Sequence, residues 1–325
     1  MIALALAIAA SSVPARVEEV AANAGFAGEI LVGRGNRVVL DRGYGTVAPG
    51  AKGRKHRAGA TWRLASITKQ VTATLLLRDN IALLDQPVKR VDHEPLAGAT
   101  LNVTLRQLLT HHSGLPNPDA TPANADGVPS YYQKANTDLG FCLSKPPVPG
   151  GDFSYNNCDY IVAATEFGGI DRWPSGMRMA RAGETGVPGF IGGKPEPHYE
   201  LASFGSAGGL LGTAHAVFDF DRSLMTGKLL SPAARAELWK PEGGRSYQAL
   251  GQWVFPGQLA GCAKPKRIVQ RDGEIGGVQT RNYILPDDDL VVIMFTNRSS
   301  DDFAIGEIWQ GKGFAYDLLS AVACG

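Results

Sequence analysis

The stretch WRLASITKQ, Trp62 to Gln70, puts Ser66 and Lys69 three positions apart immediately before the apolar run VTATLLL. If Ser66 opens a helix, that spacing sets its hydroxyl and the lysine amine on one face, within mutual reach. A lysine takes a proton only when neutral, and both burial and the positive end of the helix dipole disfavour its charged form. The same helix end leaves backbone N–H groups free, one of which can hold an oxyanion. The pair therefore reads as a nucleophile beside its base. The bland alternative is a surface lysine on an ordinary helix, since a chain of this size contains a Ser-x-x-Lys by chance with a probability of roughly one half. Further motifs must decide.

The chain has 325 residues and a formal net charge of +1, enough for one large domain or two intimate ones with a sizeable core. No long basic run with interleaved aromatics is present, which argues against a nucleic-acid partner. The opening MIALALAIAASSVPA is too short to span a bilayer and reads as the core of an export signal, residues 1–15, although no basic residue precedes Arg16. The alternative is an N-terminal helix docked on the domain. A chain exported to the periplasm or secreted makes disulfides the better reading of Cys142, Cys158, Cys262 and Cys324. Of the three possible pairings, Cys142 with Cys158 and Cys262 with Cys324 closes two loops that do not cross. No metal-ligand spacing accompanies these cysteines.

Residues 28 to 45 read as a hairpin around Arg34-Gly35-Asn36, and residues 267 to 297 as three further strands, the last two joined at Pro286 to Asp289. FAYDLLSAVA, 314 to 323, is a closing helix. Between the chain ends the pattern turns helical: TLRQLLTHHSG has Thr104 as N-cap and Gly114 as its stop. Stretches 114–153 and 168–199 are long for connections and are therefore candidates for shaping a pocket. The expected fold class is α+β. An antiparallel sheet is built from both chain ends and flanked by helices, with a mostly helical inserted subdomain. The sheet lobe is placed at about 25–75 and 245–325, the helical lobe at about 76–244, and a ligand cleft between them.

GGDFSYNNCDYIVAATE supplies a second motif, Tyr155-Asn156-Asn157, with Ser154 or Asn157 available to cap the following helix. With Ser66-x-x-Lys69 before it, the chain resembles the penicillin-recognising serine hydrolases: serine β-lactamases, DD-peptidases and their esterase relatives. LLTHHSGLP, SFGSAGGLLGTA, GKLLSPAA and the closing strands ending in FTN resemble that family's surroundings, so the likeness runs from about Gly28 to the C-terminus. It implies a β-lactamase/transpeptidase-like fold, Ser66 as nucleophile, Lys69 as its base, Tyr155 as proton relay to the leaving group, and Asn157 orienting Lys69 and the substrate. No Glu-x-x-Leu-Asn is visible in the middle loops, which points to the tyrosine-using branch, similar to class C β-lactamases and carboxylesterases.

The family's third motif, a Lys/His-[Ser/Thr]-Gly strand, is altered here. The best register is Arg271-Asp272-Gly273, followed by Glu274. Arg271 keeps the positive charge and Gly273 the bare backbone against which a substrate can lie as an added strand, while the Glu274 N–H is the second expected oxyanion donor. Asp272 and Glu274 put negative charge where a β-lactam or D-Ala carboxylate would sit, which favours an ester, or an amide without a free carboxylate. The alternative is that Asp272 forms a structural ion pair with Arg271 or Arg281. His111, His112 and His198 lack a required spacing, Asp287 to Asp289 lack that of a calcium loop, and GEIGGV lacks the context of a dinucleotide fingerprint.

The function expected from the sequence is a serine acyl hydrolase with a covalent acyl-enzyme at Ser66, acting on a small-molecule or peptide-like ester or amide with no metal or organic cofactor. A true β-lactamase or DD-peptidase is the near alternative. A non-catalytic peptidoglycan- or partner-binding protein is the distant one.

Overall fold

The computed structural model describes residues 12–50, 52–88, 101–167, 170–243 and 246–325. Most of the expected export signal lies outside them; Val13–Asn23 is a helix.

Strand Gly28–Arg34 pairs antiparallel with Leu290–Thr296, Gly28 opposite Thr296 and Arg34 opposite Leu290, so the two chain ends meet in one sheet. That sheet has seven strands, in the spatial order Gln248–Ala249, Gln252–Gly257, Lys266–Ile275, Val278–Leu285, Leu290–Thr296, Gly28–Arg34, Arg37–Tyr44. The LVVIMFT strand reads as a continuous apolar run rather than an alternation because both its faces are covered. Val292 and Met294 pack with Val17, Leu318 and Leu319 of the terminal helices Val13–Asn23 and Phe314–Ala323. Val291, Ile293 and Phe295 pack toward Leu64, Ile67 and Val71 on the other side.

Helix Ile67–Asn80 is buried on all sides from Ile67 to Leu77, although Thr68, Lys69, Gln70, Thr72 and Thr74 are polar, so those side chains need hydrogen-bond partners inside the protein. Each of its large aliphatic side chains contributes roughly 1.5–3 kcal/mol by leaving water. Thr104 caps Leu105–Leu109 through a capping box with Gln107. That helix ends at Thr110, earlier than the expected stop at Gly114, because the chain turns at His111 (φ +63°) and Gly114 (φ +69°). Asn156, not Ser154 or Asn157, caps Asn157–Glu166, its side chain accepting the Cys158 N–H. Asn157 is thereby free to face the cleft. Both expected disulfides, Cys142–Cys158 and Cys262–Cys324, are formed. The first ties the helix Leu139–Cys142 to the opening turn of Asn157–Glu166.

Candidate active site

Ser66 stands at the N-terminus of Ile67–Asn80 with its own backbone already helical. The residue before it, Ala65, takes a left-handed φ of +46°, a strained choice that costs on the order of 1–3 kcal/mol and persists only where the surroundings enforce it. Gly273 shows what enforces it: a Cβ there would lie 2.8 Å from the Ser66 nitrogen, 2.9 Å from the Leu64 carbonyl and 2.4 Å from Thr280 Oγ1. Only glycine lets the Lys266–Ile275 strand run against the helix start.

Around Ser66 the polar groups converge. Its Oγ is 2.6 Å from the Tyr155 hydroxyl and 3.4 Å from Lys69 Nζ. Lys69 is 0% exposed, donating to Asn157 Oδ1 at 2.5 Å and to the Ala207 carbonyl at 2.9 Å. Burial foremost, and then the Arg271 charge, pull the amine below its ordinary value against the opposing pull of Tyr155. For Tyr155, burial pushes the hydroxyl up, but the charges of Lys69 and Arg271 and the hydrogen bonds from Lys69 and Ser66 outweigh it and leave the group below its ordinary value. The two groups are drawn toward one another and toward neutrality, the condition for passing a proton between them.

Arg271 has a larger part than the sequence implied. It is 1% exposed, stacks 4.9 Å over Trp253, and donates Nε to the Ser66 carbonyl and Nη2 to the Tyr155 hydroxyl, both at 2.8 Å. Its Nη1 is buried without a partner among the described residues. Asp272 does not meet Arg271; its Oδ1 lies 3.2 Å from Arg281 Nε and accepts from Gln270. Glu274 accepts from the Ser300 hydroxyl at 3.0 Å. Beyond it the strand end is clamped by Glu196, which accepts the Gly277 N–H at 2.7 Å and pairs with Arg63 at 2.5 Å.

These residues border one cleft of about 510 Å³, lined by Ser66, Tyr155, Asn157, Arg271, Asp272, Gly273 and Glu274. All eight residues singled out in the sequence thus gather at one place, Lys69 lying just behind the surface. Residues that the sequence did not single out also line it: Asp119, Tyr132, Tyr199, Phe204 and Trp253. Tyr132 relays the site outward, accepting from Asn157 Nδ2 at 2.7 Å and donating to Asp119 Oδ1 at 2.5 Å. No spacing pattern marks Asp119, Tyr132 or Tyr199, which lie in the long connections, while Trp253 lies on the strand Gln252–Gly257.

His111 sits beneath the site. Its ring centroid is 4.6 Å from that of Tyr155, and its Nδ1 accepts the Asn156 N–H and lies 2.8 Å from Asp159 Oδ2. Burial holds the imidazole well below its usual range and the Asp159 carboxyl well above its own. His198 does not line the cleft; it pairs with Glu200. Among the described residues no group of three or more His, Cys, Asp or Glu is placed to hold a metal ion.

The family model described as Beta-lactamase matches residues 15–311. Among solved structures, similar folds include the octameric penicillin-binding protein homologue from Pyrococcus abyssi, 19% identical over 96% of this chain and 76% of that one, with a TM-score of 0.68. D-amino acid amidase from Ochrobactrum anthropi SV3, complexed with D-phenylalanine, is 17% identical over 96% and 98%, at 0.70. A β-lactamase/D-alanine carboxypeptidase from Pseudomonas syringae is 17% identical over 94% and 97%, at 0.64. At such identities the likeness is one of fold. No curated protein matches in sequence.

Proposed function

Since the chain belongs to the Beta-lactamase family, we propose that it is a serine acyl hydrolase working through a covalent acyl-enzyme at Ser66. The observation that carries this reading is the contact of Ser66 Oγ with both Tyr155 and the buried Lys69, in a cleft open to substrate. As Ser66 Oγ attacks the acyl carbon, its proton passes to the Lys69–Tyr155 pair. The bond to the leaving group then breaks, and Tyr155 returns a proton to that group. Water repeats the sequence on the ester: its proton goes to the pair, its oxygen to the acyl carbon, and Ser66 leaves as the alcohol. Backbone N–H groups of Ser66 and Glu274 hold the oxyanion. Arg271 fixes Tyr155 and supports its ionised form, a service for which an always-charged guanidinium is suited. Asn157 orients Lys69.

In this reading the cleft lies between the sheet lobe, about 25–75 and 245–325, and the helical lobe, about 76–244. The two disulfides support export to an oxidising compartment, and no helix among the described residues is long and apolar enough to cross a membrane. A β-lactamase or DD-peptidase is the second reading. It is favoured by the Arg281 partner that offsets the negative charge of Asp272 at the cleft.

The test is Ser66→Ala. Wild type should hydrolyse p-nitrophenyl butyrate and gain the mass of a fluorophosphonate, and the variant should do neither; undiminished hydrolysis by the variant would sink the mechanism. Faster turnover of nitrocefin than of the ester would favour the β-lactamase reading.

A further inference from the structure

We propose that the cleft selects acyl groups bearing a protonated amine, and that the carboxylate of Asp119 receives the ammonium. The inference rests on the acyl-enzyme reading above and concerns which substrate that chemistry accepts.

It begins with the charges that border the cleft. Asp272 is met by Arg281. Arg271 gives Nε and Nη2 to the Ser66 carbonyl and to Tyr155, and Lys69 is committed to Asn157 and Ala207. Asp119 also lines the cleft, and it has no cation within ion-pair distance among the described residues. An exposed carboxylate on open surface needs no partner, but this one is placed. Its backbone N–H donates to Asn117 Oδ1 at 3.1 Å, and Asn117 Nδ2 in turn donates to the Tyr155 carbonyl at 3.2 Å. Its Oδ1 accepts the Tyr132 hydroxyl at 2.5 Å. That hydroxyl is held by Asn157, which is held by Lys69, which lies beside Ser66. Asp119 is therefore fixed relative to the reacting centre at both ends, through backbone and through side chains. Its Oδ2 accepts nothing among the described residues.

The neighbouring wall suits the same ligand. The Tyr132 ring stacks on Phe204 at 4.0 Å, and Tyr199 shares the lining. Aromatic side chains lining a cleft take up the carbon part of an aminoacyl group. A carboxylate beside aromatic rings recognises a primary amine carried on the acyl side, as in amino-acid esters, amino-acid amides or peptides with a free amino terminus. It disfavours an acyl group that ends in a carboxylate.

The experiment uses the whole chain and paired substrates: the ethyl esters of D- and L-phenylalanine and their N-acetyl counterparts, with release followed by chromatography. For at least one enantiomer, kcat/KM of the free amine should exceed that of the N-acetyl ester by about tenfold or more. Asp119→Asn should lower this ratio at least about tenfold, mainly through KM, and Asp119→Glu should retain part of it. A wild-type measurement needs no variant: the preference should fade as pH rises past the pKa of the substrate amine. A ratio near one in wild type overturns the proposal. So does a loss in Asp119→Asn shared equally by both esters, which would make Asp119 a support for Tyr132 and Asn157. A ratio lost in Glu274→Gln and kept in Asp119→Asn overturns it as well. Ser66-dependent hydrolysis of p-nitrophenyl butyrate tests the acyl-enzyme reading separately, so a failure of one is not mistaken for a failure of the other.

Discussion

The two faces of the central sheet are both covered by helices, and they are built on different terms. On the outer face, Val17, Leu318 and Leu319 meet Ile30, Val292 and Met294, apolar against apolar. On the inner face, Ile67–Asn80 brings Lys69, Gln70, Thr72 and Thr74 to full burial. There the sheet answers with polar side chains: Gln70 donates to Gln252 Oε1 at 2.9 Å, and Asn282 donates to Gln70 Oε1 at 2.9 Å and to Asp221 Oδ1 at 3.1 Å. Each buried polar atom left short of a partner costs about 1–3 kcal/mol. Several lie on this side: Arg271 Nη1, Asn282 Oδ1, Asp221 Oδ2 and His111 Nε2. The outer face is not free of this cost, since Tyr283 Oη is also buried without a partner among the described residues; what sets the inner face apart is that it holds the charged groups Lys69 and Arg271 buried beside Ser66.

The contrast is tested most severely at Tyr155. Tyr155→Phe keeps the ring against His111 but removes the hydroxyl that joins Ser66, Lys69 and Arg271, so ester turnover should fall roughly 10²–10⁴-fold, with thermal unfolding little changed. A variant that keeps near-full activity would show that Lys69 handles the protons alone. On the outer face, Leu318→Ala should lower unfolding stability by about 2–5 kcal/mol in denaturant titration while kcat per folded molecule holds. A matching loss of kcat would mean that the two faces are coupled.

How far the sequence foretold this depends on the kind of signal. The strands at 28–45 and 267–297 and the closing helix Phe314–Ala323 were legible because apolar runs, helical periodicity and turn residues are local, and Ser66-x-x-Lys69 and Tyr155-x-Asn157 are local too; the helix Val13–Asn23 was not foretold. What Arg271 touches was not, since Ser66, Tyr155 and Trp253 converge on it from three distant segments. The cap at Asn156 escaped for a different reason: Ser154, Asn156 and Asn157 are all competent caps, and tertiary contact chose Asn157 for Lys69. Asp119 and Tyr132 lie in long connections without periodicity, where position in sequence says little of position in space.

Arg271→Ala measures how much the inner face gains from its fixed cation. The Arg271 charge lowers the pKa of both Lys69 and Tyr155, so removing it raises both. The acidic limb of the kcat/KM profile should therefore move to higher pH, and activity near pH 7 should drop about tenfold, 1.4 kcal/mol. An unmoved limb would reduce Arg271 to a packing group on Trp253.

The mildest change asks whether the inner face costs stability at all. Asp221 is fully buried, and burial holds its carboxyl well above the usual range, Asn282 and Arg222 offsetting only part of this. An acid whose folded pKa exceeds its unfolded pKa binds more protons when folded. Its contribution is thus fully present below the unfolded value, near 3.8, and is lost as pH rises toward the folded one. Asp221→Asn keeps an oxygen for Asn282 and removes the titration. It should therefore raise unfolding stability by about 1 kcal/mol near pH 8, and the advantage should shrink steadily as pH is lowered toward 4. A variant less stable than wild type at every pH would mean that the carboxyl is a matched member of the network rather than a cost borne beside the active site.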